Sequence, residues 1–212
     1  MKEKAHNYEI FEGRELHTGK YDNGNPIHIY LVKHFIKNLV ELVSKTGKRK
    51  VFEIGCGEGQ NLGVLYQLGY ECKGIDILPE AVRLSKDNFA SRGMNININT
   101  GNIYTKSDLP NQDWLIICME VLEHLDHPEQ AIKNIVDVTD EYFIVSVPRE
   151  PLWRIFNFCR GKYMKDLGNT PGHINHWSKK DFVNFCSMYA EVIDVRTPLP
   201  WTMVLCKKTR SR

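Results

Sequence analysis

Val51-Phe52-Glu53-Ile54-Gly55-Cys56-Gly57-Glu58-Gly59 decides the fold. An apolar run broken by one acid ends in three glycines at alternate positions, and Gln60 to Leu68 continues with the pattern of a helix. A strand, a tight turn and a helix start in this order leave bare backbone for a ligand. Glycines take positive φ and put no Cβ in the way, and the first turn of a helix has free N–H groups.

Working outward, the rest of the chain repeats a strand–helix rhythm. Ile27, Leu31, Val32, Phe35, Ile36, Leu39, Val40 and Val43 follow helical spacing before the glycine strand. Gly69 caps the helix after the loop, and Tyr70–Asp76 reads as a second strand. Pro79 opens a helix to about Arg92, and Asn95–Asn99 alternates with period two. Asp113–Met119 is apolar almost throughout, as suits a central parallel strand. A helix from Pro128 to Val138 and a strand over residues 141–147 follow. This alternation predicts an α/β fold with a doubly wound, mostly parallel sheet. Ser178 with Asp181 forms a capping-box-like pattern before a helix to about Met188. Residues 191–196 and 201–206 read as two strands around Pro198 and Pro200, an antiparallel pair at the sheet edge. Residues 1–26 show no clear periodicity, with a turn cluster at Tyr21-Asp22-Asn23-Gly24-Asn25-Pro26.

Composition narrows the class. The chain has 212 residues, enough for one full core, and 42% hydrophobic with 25% charged residues is ordinary for a soluble globular protein. A formal charge of +2 implies no strong nucleic-acid field, and no run is apolar enough to span a membrane. The six cysteines, at 56, 72, 118, 159, 186 and 206, form no Cys-x-x-Cys pair. They read as reduced core residues, and the expected location is the cytoplasm.

Asp76 lies twenty-one positions after Gly55, at the end of the second strand. A carboxylate there can accept from both hydroxyls of a ribose; its structural alternative is a cap on the following helix. Dinucleotide sites carry Gly-x-Gly-x-x-Gly, whereas the spacing here is Gly-x-Gly-x-Gly with Glu53 two residues ahead. A carboxylate at that mouth would repel a pyrophosphate and favour a cationic ligand. S-adenosylmethionine has a sulfonium, an ammonium, a ribose and no phosphate, so charge favours it over NAD.

At these residues the sequence resembles the class I S-adenosylmethionine-dependent methyltransferases. Glu53–Gly59 resembles their first motif and Gly74-Ile75-Asp76-Ile77 their second, while Gly101-Asn102-Ile103 stands where many carry an Asp facing the adenine amino group. Cys118-Met119-Glu120-Val121-Leu122-Glu123-His124 matches the motif after their fourth strand. The resemblance implies a seven-stranded sheet with one antiparallel strand near the C-terminus. It implies cofactor contacts from Glu53, Gly55, Cys56, Gly57, Gly59, Asp76, Ile77, Asn102, Ile103 and Met119.

The expected reaction is methyl transfer to a hydroxyl of a small-molecule acceptor, with His124 and His173 as candidate catalytic residues. Imidazole titrates near neutral pH and can serve as a general base. A second reading has Glu120, Glu123 and His124 hold Mg²⁺ or Mn²⁺, which would lower the pKa of the acceptor. The Glu-x-x-Glu-His string is similar to that of the ubiquinone-biosynthesis O-methyltransferases and of the metal-dependent small-RNA 3′-terminal 2′-O-methyltransferases. In the RNA enzymes a histidine upstream of a similar Trp completes the site, and His173 would be its match. The structural alternative makes His124 an orienting group, and His173 and His176 part of a helix-entry loop anchored by Trp177. The leading alternative within the superfamily is a metal-dependent RNA 3′-terminal 2′-O-methyltransferase; against it, the chain is nearly neutral and has no long basic stripe, so a nucleic-acid substrate is not expected.

A single domain is expected: a helical cover over residues 1–50, a cofactor core over 51–148, an acceptor cover over 149–177, and a C-terminal helix and strand pair over 178–212. In the acceptor cover, Trp153, Arg154, Phe156, Phe158, Arg160, Lys162 and Tyr163 read either as a pocket wall or as an amphipathic helix with a basic face. An NAD-dependent dehydrogenase and a silent cofactor-binding module are the alternatives from other classes.

Overall fold

The computed structural model describes residues 8–11, 14–17, 26–111, 113–159, 167, 169–170 and 172–209. Arg160, Lys162, Tyr163 and the turn residues 21–25 lie outside them.

A hairpin, β1 (Tyr8–Phe11) and β2 (Arg14–His17), precedes α1 (Pro26–Lys45). The N-terminal cover is therefore not helical throughout: it begins with two short antiparallel strands. Then follow β3 (Lys50–Ile54), α2 (Gln60–Gln67), β4 (Glu71–Asp76), α3 (Pro79–Ser91), β5 (Asn97–Thr100) and β6 (Leu115–Met119). The chain continues through α4 (Pro128–Val138), β7 (Tyr142–Pro148), α5 (Leu152–Cys159), α6 (Lys179–Ser187), β8 (Glu191–Arg196) and β9 (Trp201–Lys207).

Seven strands form one sheet in the order β5-β4-β3-β6-β7-β9-β8. Pairings from β5 through β7 are parallel, and β9 runs antiparallel to both β7 and β8. The expected C-terminal pair forms, with β9 inserted beside β7 and β8 at the edge. After β5 the chain returns to the other side of β3, so the order reverses between β3 and β6. A crevice opens at such a switch point, outside the carboxyl ends of the strands.

Side-chain alternation divides the core between the two faces. Val51, Leu115, Ile117, Ile144, Met203 and Leu205 pack with α1, α2 and α3. Phe52, Ile54, Ile116, Cys118, Phe143, Val145 and Val204 pack with α4 and α6. β6 is buried along its whole length, which explains its continuous apolar run. Period two puts Glu53 on the α1–α2 face beside Val51, and this places a carboxyl under the helices that flank the crevice. Ser178 caps α6: its hydroxyl accepts from the Asp181 N–H at 3.2 Å and donates to the Asp181 carboxylate at 2.6 Å. Cys56, Cys72, Cys118, Cys186 and Cys206 are buried free thiols.

Candidate functional site

The glycine turn is held by main-chain bonds at the switch point. The N–H groups of Gly55 and Cys56 donate to the Ile75 carbonyl at 2.8 and 3.0 Å, which ties the turn to the end of β4. Gly55 has φ +71°, and a Cβ there would lie 2.3 Å from Val121 Cγ2. Gly57 has φ +53° with open space around it, and Gly59, at φ +80°, precedes the first turn of α2.

Asp76 joins this turn to the next one. One carboxylate oxygen accepts from the Gly57 N–H at 2.8 Å and the other from the Leu78 N–H at 2.9 Å. The capping role and the placement beside the glycine turn therefore coexist, and each oxygen keeps a lone pair for a ribose hydroxyl. Ile77 is exposed next to it, and Ile103 is buried. The Asn102 amide oxygen accepts from the Tyr104 N–H at 2.9 Å, and its own N–H donates to Asp108. The Tyr104 bond leaves the amide oxygen one further lone pair.

Glu53 is 1% exposed, and Asn61 of α2 donates to its Oε1 at 2.7 Å, while its Oε2 is buried with no partner. Burial pushes its carboxyl up to about 8; the Asn61 bond offsets part of this and the nearby Asp76 adds to it. A cation beside Oε2 would satisfy the orphaned acceptor and restore the charge. An ammonium group fits that place, and a phosphate does not.

A cavity of about 500 Å³ opens on this face. The glycine turn, Glu53, Gln60 and Asn61 line one side, and Val32, Phe35 and Ile36 of α1 with Trp201 of β9 line the other. Met119 and Glu120 lie between them. Glu120 sits just past β6 with φ +58°, a conformation that costs a non-glycine residue about 1–3 kcal/mol and marks a functional constraint. It aims the side chain into the cavity, where the Ser146 hydroxyl donates to Oε1 at 2.8 Å. Burial raises this carboxyl well above the usual range, and Ser146 and the Trp201 indole counter that in part.

A second cluster lies beside the cavity. Glu123, His124 and His173 place one ligand atom each within 4.8 Å of one another. Residues 122–124 form a short 3₁₀ turn, so Glu123 points inward, 1% exposed, and His124 outward, 44% exposed along its side chain. Glu123 Oε2 is buried without a partner, and burial with the charge of Glu120 raises its carboxyl. His124 Nδ1–H donates to the Gly172 carbonyl at 2.8 Å, which leaves Nε2 facing Glu123 Oε1 at 3.9 Å. Burial, then His124 and His176, lowers His173 to about 4, so it is a neutral imidazole. Of the expected metal ligands, the structure joins Glu123 and His124 with His173, while Glu120 turns to Ser146. Neither histidine lines the cavity among the described residues.

Aromatic rings connect the two clusters. His173 packs edge-on to His124 at 4.8 Å and stacks on Trp153 at 5.8 Å; Trp153 meets Trp201 at 6.0 Å, and Trp201 meets Phe35 edge-on at 5.0 Å. Trp153 Nε1–H donates to Thr170 at 2.8 Å, which fixes the middle ring. His176 faces Glu150 at 3.5 Å, and Trp177 packs on Phe182 and Phe185 as a core anchor. The sequence reading placed no functional weight on Phe35, Ile36 or Trp201 individually. Only the pairing of β9 with β7 brings Trp201 to the cavity.

Residues 52–141 match the family model described as a methyltransferase domain. Among curated relatives, a ubiquinone biosynthesis O-methyltransferase of Coxiella burnetii is 28% identical over 99 residues, 47% of this chain and 42% of that one. A norajmaline N-methyltransferase of Rauvolfia serpentina is 27% identical over 145 residues, 62% of this chain and 49% of that one. The chain thus spans about half the length of the curated relatives it matches. Among solved structures, magnesium protoporphyrin IX methyltransferase (ChlM) from Synechocystis PCC 6803 with bound SAH aligns with TM-score 0.66 at 16% identity, covering 87% and 88% of the two chains. The methyltransferase domain of bacterial-CtHen1-C aligns with TM-score 0.65 at 20% identity, covering 85% and 100%. At such identities these likenesses speak of fold. The domain match, the seven-stranded order with its antiparallel β9 and the glycine turn facing Asp76 agree: residues 52–141 are a methyltransferase domain, and the fold is that of the class I S-adenosylmethionine-dependent methyltransferases.

Proposed function

We propose that the protein transfers the methyl group of S-adenosylmethionine to a hydroxyl of a small-molecule acceptor. The observation that carries this is the two-sided cavity: a glycine turn with an unsatisfied buried acid on one wall, an apolar wall opposite, and Glu120 between them. Glu53 would hold the ammonium of the donor, the turn from Gly55 to Gly59 its backbone-facing side, Asp76 its ribose, and Asn102, Ile77 and Ile103 its adenine. The donor, when bound, supplies a methyl carbon activated by its sulfonium. The protein's part is alignment and proton handling. Residues 51–148 would serve the donor, and α1 and Trp201, braced by Trp153 of α5, would confine the acceptor. Among the described residues no helix is long and apolar enough to cross a membrane.

Calorimetry with S-adenosylhomocysteine and with NAD tests the donor. Micromolar binding of NAD with none of S-adenosylhomocysteine would overturn the proposal. A screen of alcohols, phenols, amines and carboxylates with labelled donor tests the hydroxyl; label appearing only on nitrogen or carboxylate acceptors refutes O-methylation.

The cluster Glu123–His124–His173 supports a second reading, in which a divalent cation assists. One buried unpartnered carboxylate oxygen and a neutral imidazole suit Mn²⁺ or Mg²⁺ with water completing the shell. Such an ion would lower the pKa of an acceptor hydroxyl.

A further inference from the structure

The acceptor wall is more specific than a generic apolar surface. Trp201 presents a ring held from two sides, by Phe35 of α1 at 5.0 Å and by Trp153 of α5 at 6.0 Å. Trp153 is in turn fixed by its bond to Thr170. Trp201 therefore cannot swing away without disturbing two other rings, and it lines the cavity as a rigid aromatic group. Val32 and Ile36 supply aliphatic surface on the α1 side. The ionisable side chains described along the cavity are all acids. Glu53, Glu58 and Glu120 line it, and among the described lining residues there is no lysine, arginine or histidine.

An anionic acceptor would give up its hydration to enter a cavity with three acids and no cation, at a cost no described lining residue offsets. A flat uncharged ring loses little on desolvation and gains face contact with Trp201. Its volume also suits a pocket within the usual range of about 300–1,000 Å³ that the methionyl end of the donor must share.

Resting on the methyl-transfer reading above, we infer that the acceptor is an uncharged molecule with a flat aromatic ring. Trp201, braced by Phe35 and Trp153, is its specificity-determining contact, and a described lining without lysine, arginine or histidine disfavours carboxylate- and phosphate-bearing acceptors, whose lost hydration it does not replace.

The test uses the full chain saturated with S-adenosylhomocysteine and three probes of related shape: 2-naphthol, 6-hydroxy-2-naphthoate and the saturated decahydro-2-naphthol. Calorimetry near neutral pH should show 2-naphthol binding at least about tenfold more tightly than either of the others. Trp201→Ala should weaken 2-naphthol about tenfold while leaving S-adenosylhomocysteine affinity within about twofold, and Trp201→Phe should retain most of the binding. Phe35→Leu keeps the apolar volume but removes the brace, and should weaken 2-naphthol by about threefold or more, so the inference stays testable if Trp201→Ala does not fold. Equal or tighter binding of 6-hydroxy-2-naphthoate overturns the charge selection. Equal binding of the saturated probe, or indifference to both the Trp201 and the Phe35 substitutions, overturns the aromatic contact. If S-adenosylhomocysteine binds and no probe does, the ring inference fails and the methyltransferase reading stands; if S-adenosylhomocysteine itself does not bind, both fall.

Discussion

Adding one methyl group at Gly55 or at Gly57 should have unequal costs, and the difference comes from a single neighbour. Both residues have positive φ, +71° and +53°. An alanine in that region costs about 1–2 kcal/mol, of which restriction of the unfolded chain returns about 0.4–1. At Gly57 nothing lies within 4 Å of the new Cβ, so the net loss for Gly57→Ala should be about 1 kcal/mol or less. At Gly55 the new Cβ would sit 2.3 Å from Val121 Cγ2, far inside van der Waals contact. Overpacking of this kind adds about 1–3 kcal/mol, so Gly55→Ala should cost about 1–4 kcal/mol in all, and more than Gly57→Ala by that added amount. Urea unfolding of the ligand-free protein, followed by far-UV circular dichroism, measures both. The double variant Gly55→Ala/Val121→Ala should be less destabilised than the sum of its single variants by about 1 kcal/mol or more, because the clash is removed with the valine. Equal losses at the two glycines, or strict additivity in the double variant, would refute the claim that Val121 closes over the turn.

Three further outcomes follow from the site. Burial holds Glu53 at about 8 against an ordinary 4.5, so between those values the folded protein binds a proton that the unfolded chain has released. Stability conferred on the ligand-free protein is thus full below about 4.5 and falls as pH rises toward 8, by up to about 1.4 kcal/mol per pH unit for this one carboxyl; Glu53→Gln should flatten the profile in urea melts at several pH values, and an unchanged slope would refute the assignment. Asp76→Ala removes an acceptor from two backbone N–H groups; a loss of about 2–4 kcal/mol with at least tenfold weaker S-adenosylhomocysteine binding is expected, and weaker binding at unchanged stability would mean that the two bonds do not hold the turn. If the second cluster takes a divalent ion, Mn²⁺ titration followed by electron paramagnetic resonance should show one site that Glu123→Gln abolishes; no bound Mn²⁺ at millimolar concentration removes the metal reading.

The glycine turn and the acids around it were readable because their signals are local. Glycines at 55, 57 and 59, the acid at 53 and the acid closing β4 are all set by strand ends and turn chemistry within one stretch of chain. The opposite part of the cavity lining was less legible. Phe35 looks like any helix core residue, and Trp201 becomes a cavity wall only because β9 pairs with β7 across more than fifty residues of sequence. The left-handed turn at Glu120 has no sequence signal, since a glutamate there predicts ordinary backbone. It separates Glu120 from a set that helical spacing suggested would converge, and His173 takes the third place by long-range packing of residues 172–175 against the turn at Glu123. The hairpin at residues 8–17 escaped for another reason: its four-residue strands are too short to establish a period.

The order of synthesis differs from the order of the sheet. β8 leaves the ribosome before β9, yet it is β9 that covers the free side of β7. Until β9 emerges, β7, apolar along most of its length, has an unpaired edge open to other nascent chains. Trp201, at the start of β9, arrives at the same late moment. The strand that protects the growing chain from aggregation is therefore also the one that completes the lining of the cavity.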